Sequence, residues 1–307
     1  PFMVQGGAFQ GFLLKADAKA LQALSDRYFK EPSDGKWEYE TFLPFVLVTF
    51  LSIEHSYPLN TEYDNKYYVE NDLLFFLPVI RRHKVLGIPT RMEVVWWVPT
   101  VVVDQTVAVC EGREIYGYAK MLGSCTIPGK STDPGLFKTD GPVYRDDGTG
   151  RLKLGMGEYL RAERTDDHVR GAPSLTWPDL KTALKSIWDA MKPSLESHPG
   201  EDALAAALEL WQTLSHEEPR MLLLKQFRDA ADGMDACYQA IVEVPVALEN
   251  FRGGGILPGK WQVQFSDPAA IQIAEALGLG AGPLDALLSY AVDVDTTLEN
   301  GKLVWEK

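Results

Sequence analysis

The residues best suited to covalent chemistry lie between Val101 and Gly123. An apolar run, Val101-Val102-Val103-Asp104-Gln105-Thr106-Val107-Ala108-Val109-Cys110, leads into Gly112-Arg113-Glu114 and then to Lys120, set among Tyr116, Tyr118, Ala119, Met121 and Leu122. Such a lysine has no helical solvent face to point along. An ammonium moved into an apolar pocket loses hydration, its pKa falls toward neutrality, and the free amine becomes a nucleophile for carbonyl carbons. The plainer course is for the Lys120 stem to run past Tyr118 and keep the head group in water. Two acids stand inside another apolar stretch, Tyr67 to Arg81: Glu70 and Asp72. They are two apart, so in an extended strand their side chains leave the same face and either or both could reach one pocket. Read without chemistry, Glu70, Asn71 and Asp72 are a polar strand end or a bulge.

The central block resembles a known family. Asp104, Gly112-Arg113-Glu114 and Tyr118-Ala119-Lys120, with Leu122-Gly123 after them, are similar to the "Gly-Arg-Glu … Tyr-Pro-Lys" block of the acetoacetate decarboxylase family, itself the usual illustration of lysine activation. The stretch before Pro78-Val79 resembles that family's second signature, with Asp72 or Glu70 as its acid. The resemblance implies that Lys120 condenses with a substrate ketone as a Schiff base and that Glu70 or Asp72 moves protons or polarises the substrate. It makes Tyr118, Arg113 and Glu114 the substrate-binding residues, Arg113 and Glu114 by buttressing the turn. It covers about two thirds of the chain and lapses across roughly 162–218.

Three departures accompany it. The second lysine that follows the reactive one in the family's decarboxylases is Met121 here, so activation would rest on desolvation alone. The proline before the lysine is Ala119. The arginine that binds the substrate carboxylate, upstream of the strand at Phe12 to Lys15, is absent from Gln5-Gly6-Gly7-Ala8. The function expected is therefore a cofactor-independent lyase acting on a small oxo acid or carbonyl substrate other than acetoacetate, by decarboxylation or by aldolase or dehydratase chemistry. The alternative is a non-catalytic protein that keeps the cavity and uses Lys120 as a counter-charge for a small acid.

Composition bounds the rest. With 307 residues, 46 % of them apolar, the chain can furnish a substantial core. A net charge of −13 argues against nucleic-acid or anionic-membrane partners, which call for clustered Lys and Arg. Cys110, Cys125 and Cys237 show neither CxxC spacing nor an even count, and no HExxH pair occurs, so no metal site, cofactor or disulfide framework is expected and a cytoplasmic setting fits. Phe42 to Ile53 and Val94 to Val103 are broken by Pro44 and Pro99 and are too short to cross a membrane as helices.

The elements that must carry these residues are mostly strands. Phe9 to Leu14, Trp37 to Ile53, Tyr67 to Arg81, Arg91 to Val103, Phe137 to Arg145, Arg151 to Arg161, Pro219 to Lys225 and Ala236 to Pro245 alternate or run apolar as strands do. Asp17 is a candidate helix N-cap. Leu180, Leu184, Ile187, Trp188 and Met191, then Leu204, Leu208, Trp211 and Gln212, mark two amphipathic helices. The basic Arg81-Arg82-His83-Lys84 run reads as a solvated hairpin tip, or as a substitute for the missing arginine. The glycines from Gly278 to Gly282 follow a helix, which makes them a C-cap and loop. The expected fold class is α+β and mostly antiparallel β: a curved sheet or barrel-like cone with peripheral helices, in one domain spanning 1–307 with a helical insertion at about 162–218. The family resemblance adds the expectation of a homo-oligomer.

Overall fold

The computed structural model describes residues 1–59, 66–85, 88–128, 135–166, 177–183, 185–187, 189 and 219–307, and the following concerns those residues. Its frame is a ring of strands. In chain order the participants are β2 (Ala8–Lys15), β4 (Phe45–Pro58), β5 (Tyr68–Val85), β6 (Ile88–Trp97), β12 (Arg220–Arg228), β13 (Ala236–Ile256) and β16 (Leu288–Leu298). The pairings run β4-β2-β16-β13-β12-β6-β5, and β5 pairs back onto β4, which closes the ring. All these pairings are antiparallel except β12 on β6, where Met221 stands opposite Trp96 and Leu222 opposite Trp97. Closure gives each of these strands a neighbour on both sides, with β12 and β6 joined by only two residue pairs.

Short strands attach to this frame. β1 (Phe2–Gln5) bridges β4 and β16, β3 (Tyr39–Thr41) and β7 (Val101–Val103) add to β5, β8 (Lys120–Leu122) lies parallel to β7, and β17 (Lys302–Glu306) pairs with β13. A second sheet is formed by β9 (Ser124–Thr126), β10 (Phe137–Asp146), β11 (Leu152–Arg164), β14 (Trp261–Phe265) and β15 (Leu284–Asp285). Helices α1 (Ala18–Ser25), α2 (Thr106–Glu111) and α3 (Pro268–Ala276) flank the sheets. Asp17 caps α1 as expected, accepting from the Ala20 amide at 2.8 Å.

Alternation assigns each strand two faces. Val46, Val48 and Phe50 on β4, with Leu73, Phe75, Leu77 and Val79 on β5, enter the largest apolar cluster, which the second sheet, α1 and α3 complete. Phe12, Phe50, Phe137 and Trp261 interlock there, with the Phe12 and Phe137 rings 5.2 Å apart and the Phe137 and Trp261 rings 5.5 Å apart. Such aromatic pairs contribute about 0.5–1.5 kcal/mol each beyond their burial. The other face of β4 and β5 presents Leu51, Ile53 and Leu74 to Val4 of β1 and to Val242 and Val244 of β13, so these residues meet across the ring. Strands buried on both faces explain why their sequences read as near-continuous apolar runs.

The expected strands are present with altered bounds. Trp37 to Ile53 is divided, because Pro44 stands between Tyr39–Thr41 and Phe45–Pro58. Within the helical insertion, residues 180–183, 185–187 and 189 are helical, and Ala183 is buried beside Trp177. The second amphipathic segment lies outside the described residues.

Candidate active site

Lys120 reaches its place through a local fold that apolar periodicity did not reveal. After β7 the chain forms α2 and continues into a single π-helical turn, Gly112–Tyr116. That turn ends at Gly117, whose φ of +93° is a left-handed conformation that glycine tolerates best. The Gly112 carbonyl accepts from the amides of both Gly117 (2.9 Å) and Tyr118 (3.0 Å), and this reversal delivers Lys120 to β8, opposite Val101 of β7. Gly112 serves a second purpose. A Cβ on it would lie 2.8 Å from Lys120 Cδ and 3.0 Å from Cε, so the glycine is what lets the lysine stem pass against the turn.

The acids arrive from the facing strand. Asp72 pairs with Val103 and Leu74 with Val101 in the β5–β7 ladder, so β5 lies beside the strand that carries β8. Glu70, Asp72, Leu74 and Phe76 share one face and all line the cavity that Lys120 enters. The Lys120 Nζ donates to Glu70 Oε1 at 2.6 Å. Their side chains are 10 % and 3 % exposed, so the ion pair is nearly dry. The Ser56 hydroxyl donates to the second Glu70 oxygen at 3.2 Å. The Tyr118 ring lies 5.7 Å from Nζ, within cation–π range, and Tyr118 is buried on the cavity wall. Asn71 points the other way and is held by the Asp104 carboxylate through both its backbone amide and its side chain.

The charge state departs from the sequence expectation. Burial lowers the Lys120 pKa, as anticipated, but the carboxyl groups of Asp72 and Glu70 and the hydrogen bond to Glu70 outweigh it, and the net direction is upward. The amine is dry but charged in the free protein. For Asp72, burial dominates: offset in part by the Lys120 ammonium and reinforced by neighbouring Glu70, it holds this carboxyl well above the usual carboxylate range. Lys120, Glu70 and Asp72 thus form a buried triad, one amine with two carboxyl groups. Asp72 Oδ1 is buried without a hydrogen-bond partner among the described residues.

Around this triad the wall is apolar, with Phe2, Val4, Phe9, Ile53, Tyr116 and Leu298 prominent, and it encloses about 680 Å³ of empty space that includes the open mouth. Glu111, a less buried residue of the lining, accepts from the Tyr68 hydroxyl at 3.0 Å.

Two sequence-predicted residues lie elsewhere. Arg113 and Glu114 are exposed on the outer side of the π turn and do not line the cavity; Arg113 approaches the Lys120 carbonyl at 3.5 Å, at the limit of a hydrogen bond. They sit on consecutive positions of a helical turn whose inward positions are Gly112 and Tyr116, so they face away. Arg81 does not replace the missing arginine. It is buried on the opposite face of β5, paired with Glu93 and with Glu243. Glu111, Ser56 and Tyr68 were not anticipated; the i, i+2 relation of Tyr68 to Glu70 was the available signal for Tyr68. Among the described residues no group of three or more His, Cys, Asp or Glu side chains is placed to hold a metal ion, and no helix is long and apolar enough to cross a membrane.

No protein-family model matches the chain, and no curated protein matches it by sequence. Solved structures do. An acetoacetate decarboxylase from Legionella pneumophila subsp. pneumophila str. Philadelphia 1 superposes with a TM-score of 0.62 at 15 % identity, over 100 % of this chain and 88 % of that one. The enduracididine biosynthesis enzyme MppR complexed with pyruvate gives 0.55 at 12 % identity, over 99 % and 89 %. An acetoacetate decarboxylase-like enzyme from Sphingomonas wittichii RW1 gives 0.53 at 13 % identity, over 99 % and 92 %. The chain therefore has the acetoacetate decarboxylase fold on a divergent sequence, as the resemblance around Lys120 implied.

Proposed function

From a chain with the acetoacetate decarboxylase fold and a lysine paired to a carboxylate inside an apolar cavity, we infer a cofactor-independent carbon–carbon lyase that works through a Schiff base on Lys120. The observation that carries this reading is the 2.6 Å contact of Lys120 Nζ with Glu70 Oε1, nearly out of water.

A second lysine would have lowered the Lys120 pKa; Glu70 raises it, and its part is instead that of the base that takes the proton once a ligand is bound. When a substrate enters and excludes the remaining water, an ion pair becomes less favourable than its neutral form, so the Nζ proton passes to Glu70. The free amine adds to the substrate carbonyl carbon. The carbonyl oxygen then leaves as water, taking its second proton from Glu70, and the iminium that remains is cationic beside the Glu70 carboxylate. Its nitrogen accepts the electron pair of the broken carbon–carbon bond, giving an enamine, and the buried Asp72 carboxyl is the acid placed to protonate the enamine carbon. Water then hydrolyses the iminium and restores the amine.

Decarboxylation and aldol-type cleavage or condensation share this intermediate, and a small oxo acid or another small carbonyl compound is the substrate. MppR, a fold neighbour, is recorded with the condensation product of pyruvate and imidazole 4-carboxaldehyde, a precedent in this fold for carbon–carbon chemistry other than decarboxylation. The alternative role of Lys120, as a fixed counter-charge for a small acid, is weakened because its charge is already matched by Glu70.

Enamine formation exchanges the α-protons of a bound ketone. In D2O, proton NMR of small ketones and oxo acids should show α-deuteration catalysed by the wild type and lost in K120R. Exchange that persists in K120R, or ligand binding without exchange by the wild type, would contradict the lyase reading.

A further inference from the structure

We propose that this cavity selects uncharged carbonyl compounds, aldehydes or ketones with an apolar body, over those bearing a carboxylate, and that Glu111 sets the selection. The inference rests on the Schiff-base reading of Lys120 and narrows its substrate class.

Three carboxyl groups line the cavity, those of Glu70, Asp72 and Glu111, and Lys120 is the one cation among the described lining residues. Its charge is already engaged by Glu70 at 2.6 Å. A carboxylate entering with a substrate would lose hydration against Phe2, Phe9 and Leu298 and find an acidic field with no free cation to receive it. Glu111 is the least buried of the three. It stands at the end of α2, and the Tyr68 hydroxyl fixes it there at 3.0 Å. Both Tyr68 and Glu111 belong to the lining, which sets the charge of this carboxylate beside an arriving ligand.

An uncharged carbonyl compound meets none of this opposition. Its body replaces water along the apolar wall, and Asp72 Oδ1, buried and without a partner among the described residues, is available to the oxygen that leaves the carbonyl carbon. The orphaned atom belongs to a residue on the same strand face as Glu70 that lines the cavity Lys120 enters.

Levulinate and its methyl ester test this, because their ketones are alike and only one carries a charge. Each is incubated with the protein and borohydride; the amine and ketone lose water to form the imine, hydride reduces the C=N bond, and the Lys120 peptide gains a stable mass. The wild type should be labelled by the ester at least about tenfold faster than by levulinate, the size of effect an unpaired charge meets at a weakly screened site. E111Q should narrow the ratio, and E111K should narrow it further by raising the levulinate rate. Equal rates in the wild type, faster labelling by levulinate, or a ratio that E111Q leaves unchanged would overturn the selectivity while leaving Lys120 as the nucleophile. Labelling by neither compound would sink the Schiff-base reading and this inference with it.

Discussion

Lys120, Glu70 and Asp72 are best understood together, because each fixes the charge of the others. A buried lysine alone would shed its proton; one at 2.6 Å from a carboxylate keeps it. The shared face of Glu70 and Asp72 was legible in the sequence, since it follows from alternation, whereas the burial of Lys120 was expected from the family resemblance of the block around it. The sequence could not show that the ion pair outweighs desolvation, because that balance depends on a distance. Linkage gives the sign of its effect. The Lys120 pKa is raised above 10.5, so the pair stabilises the fold at lower pH and that contribution is lost as pH rises through the folded value. Removing the Glu70 carboxylate takes away both its charge and its hydrogen bond and leaves Asp72 as the main group opposing burial. In E70Q the pH profile for labelling of Lys120 at sub-saturating ketone should therefore shift to lower pH than in the wild type, and the stability contribution present at neutral pH should disappear. A profile that stays in place or moves upward would show that Glu70 does not hold the proton on Lys120.

The element that decides the site is the α2 segment with its π turn. Thr106-Val107-Ala108-Val109 is rich in β-branched residues, which read as strand, and six residues are too few for helical periodicity to assert itself. Tertiary packing overrides the propensity: Ala108 and Tyr116 are buried, whereas Val107, at 50 % exposed, faces outward and Ile115 lines the cavity while still half-exposed. The Gly112-Arg113-Glu114 motif thereby acquires separate physical explanations. Arg113 and Glu114 occupy the outer side of the turn, whereas Gly112 provides clearance for the lysine. Gly112 has ordinary right-handed helical angles, φ −61° and ψ −40°, so alanine suits its backbone. G112A should keep or slightly raise the melting temperature, yet lower Lys120 labelling by roughly tenfold, because displacement of a reacting group by about an ångström has effects of that order or more. Unaltered labelling in a folded G112A would mean that the clearance is not needed.

At the scale of the molecule, strand positions were legible and closure was not. Alternation identifies β2, β5, β10, β11, β12 and β13, but nothing local tells β6 to take β12 as a parallel neighbour or β5 to return to β4. Long-range charge pairing contributes to that assembly. Arg81 on β5 joins Glu93 on β6 and Glu243 on β13, with Arg220 of β12 at 3.6 Å from Glu93. The basic run that resembled a hairpin tip thus begins with a buried clamp across the ring. Glu243 faces away from Val242 and Val244, whose cluster contains Tyr116 and Tyr118, so the clamp and the cavity occupy opposite faces of the same sheet. The ring thereby gives Lys120 a setting unlike that of any other lysine described. Lys15, Lys19, Lys36, Lys153, Lys260, Lys302 and Lys307 are exposed, and Lys120 is the lysine of the cavity wall. That distinction permits the most direct measurement. After reduction of the protein with borohydride in the presence of methyl levulinate, proteolysis and mass spectrometry should place a single adduct on the peptide containing Lys120, with none in K120R. Adducts spread over surface lysines, or undiminished in K120R, would contradict the account.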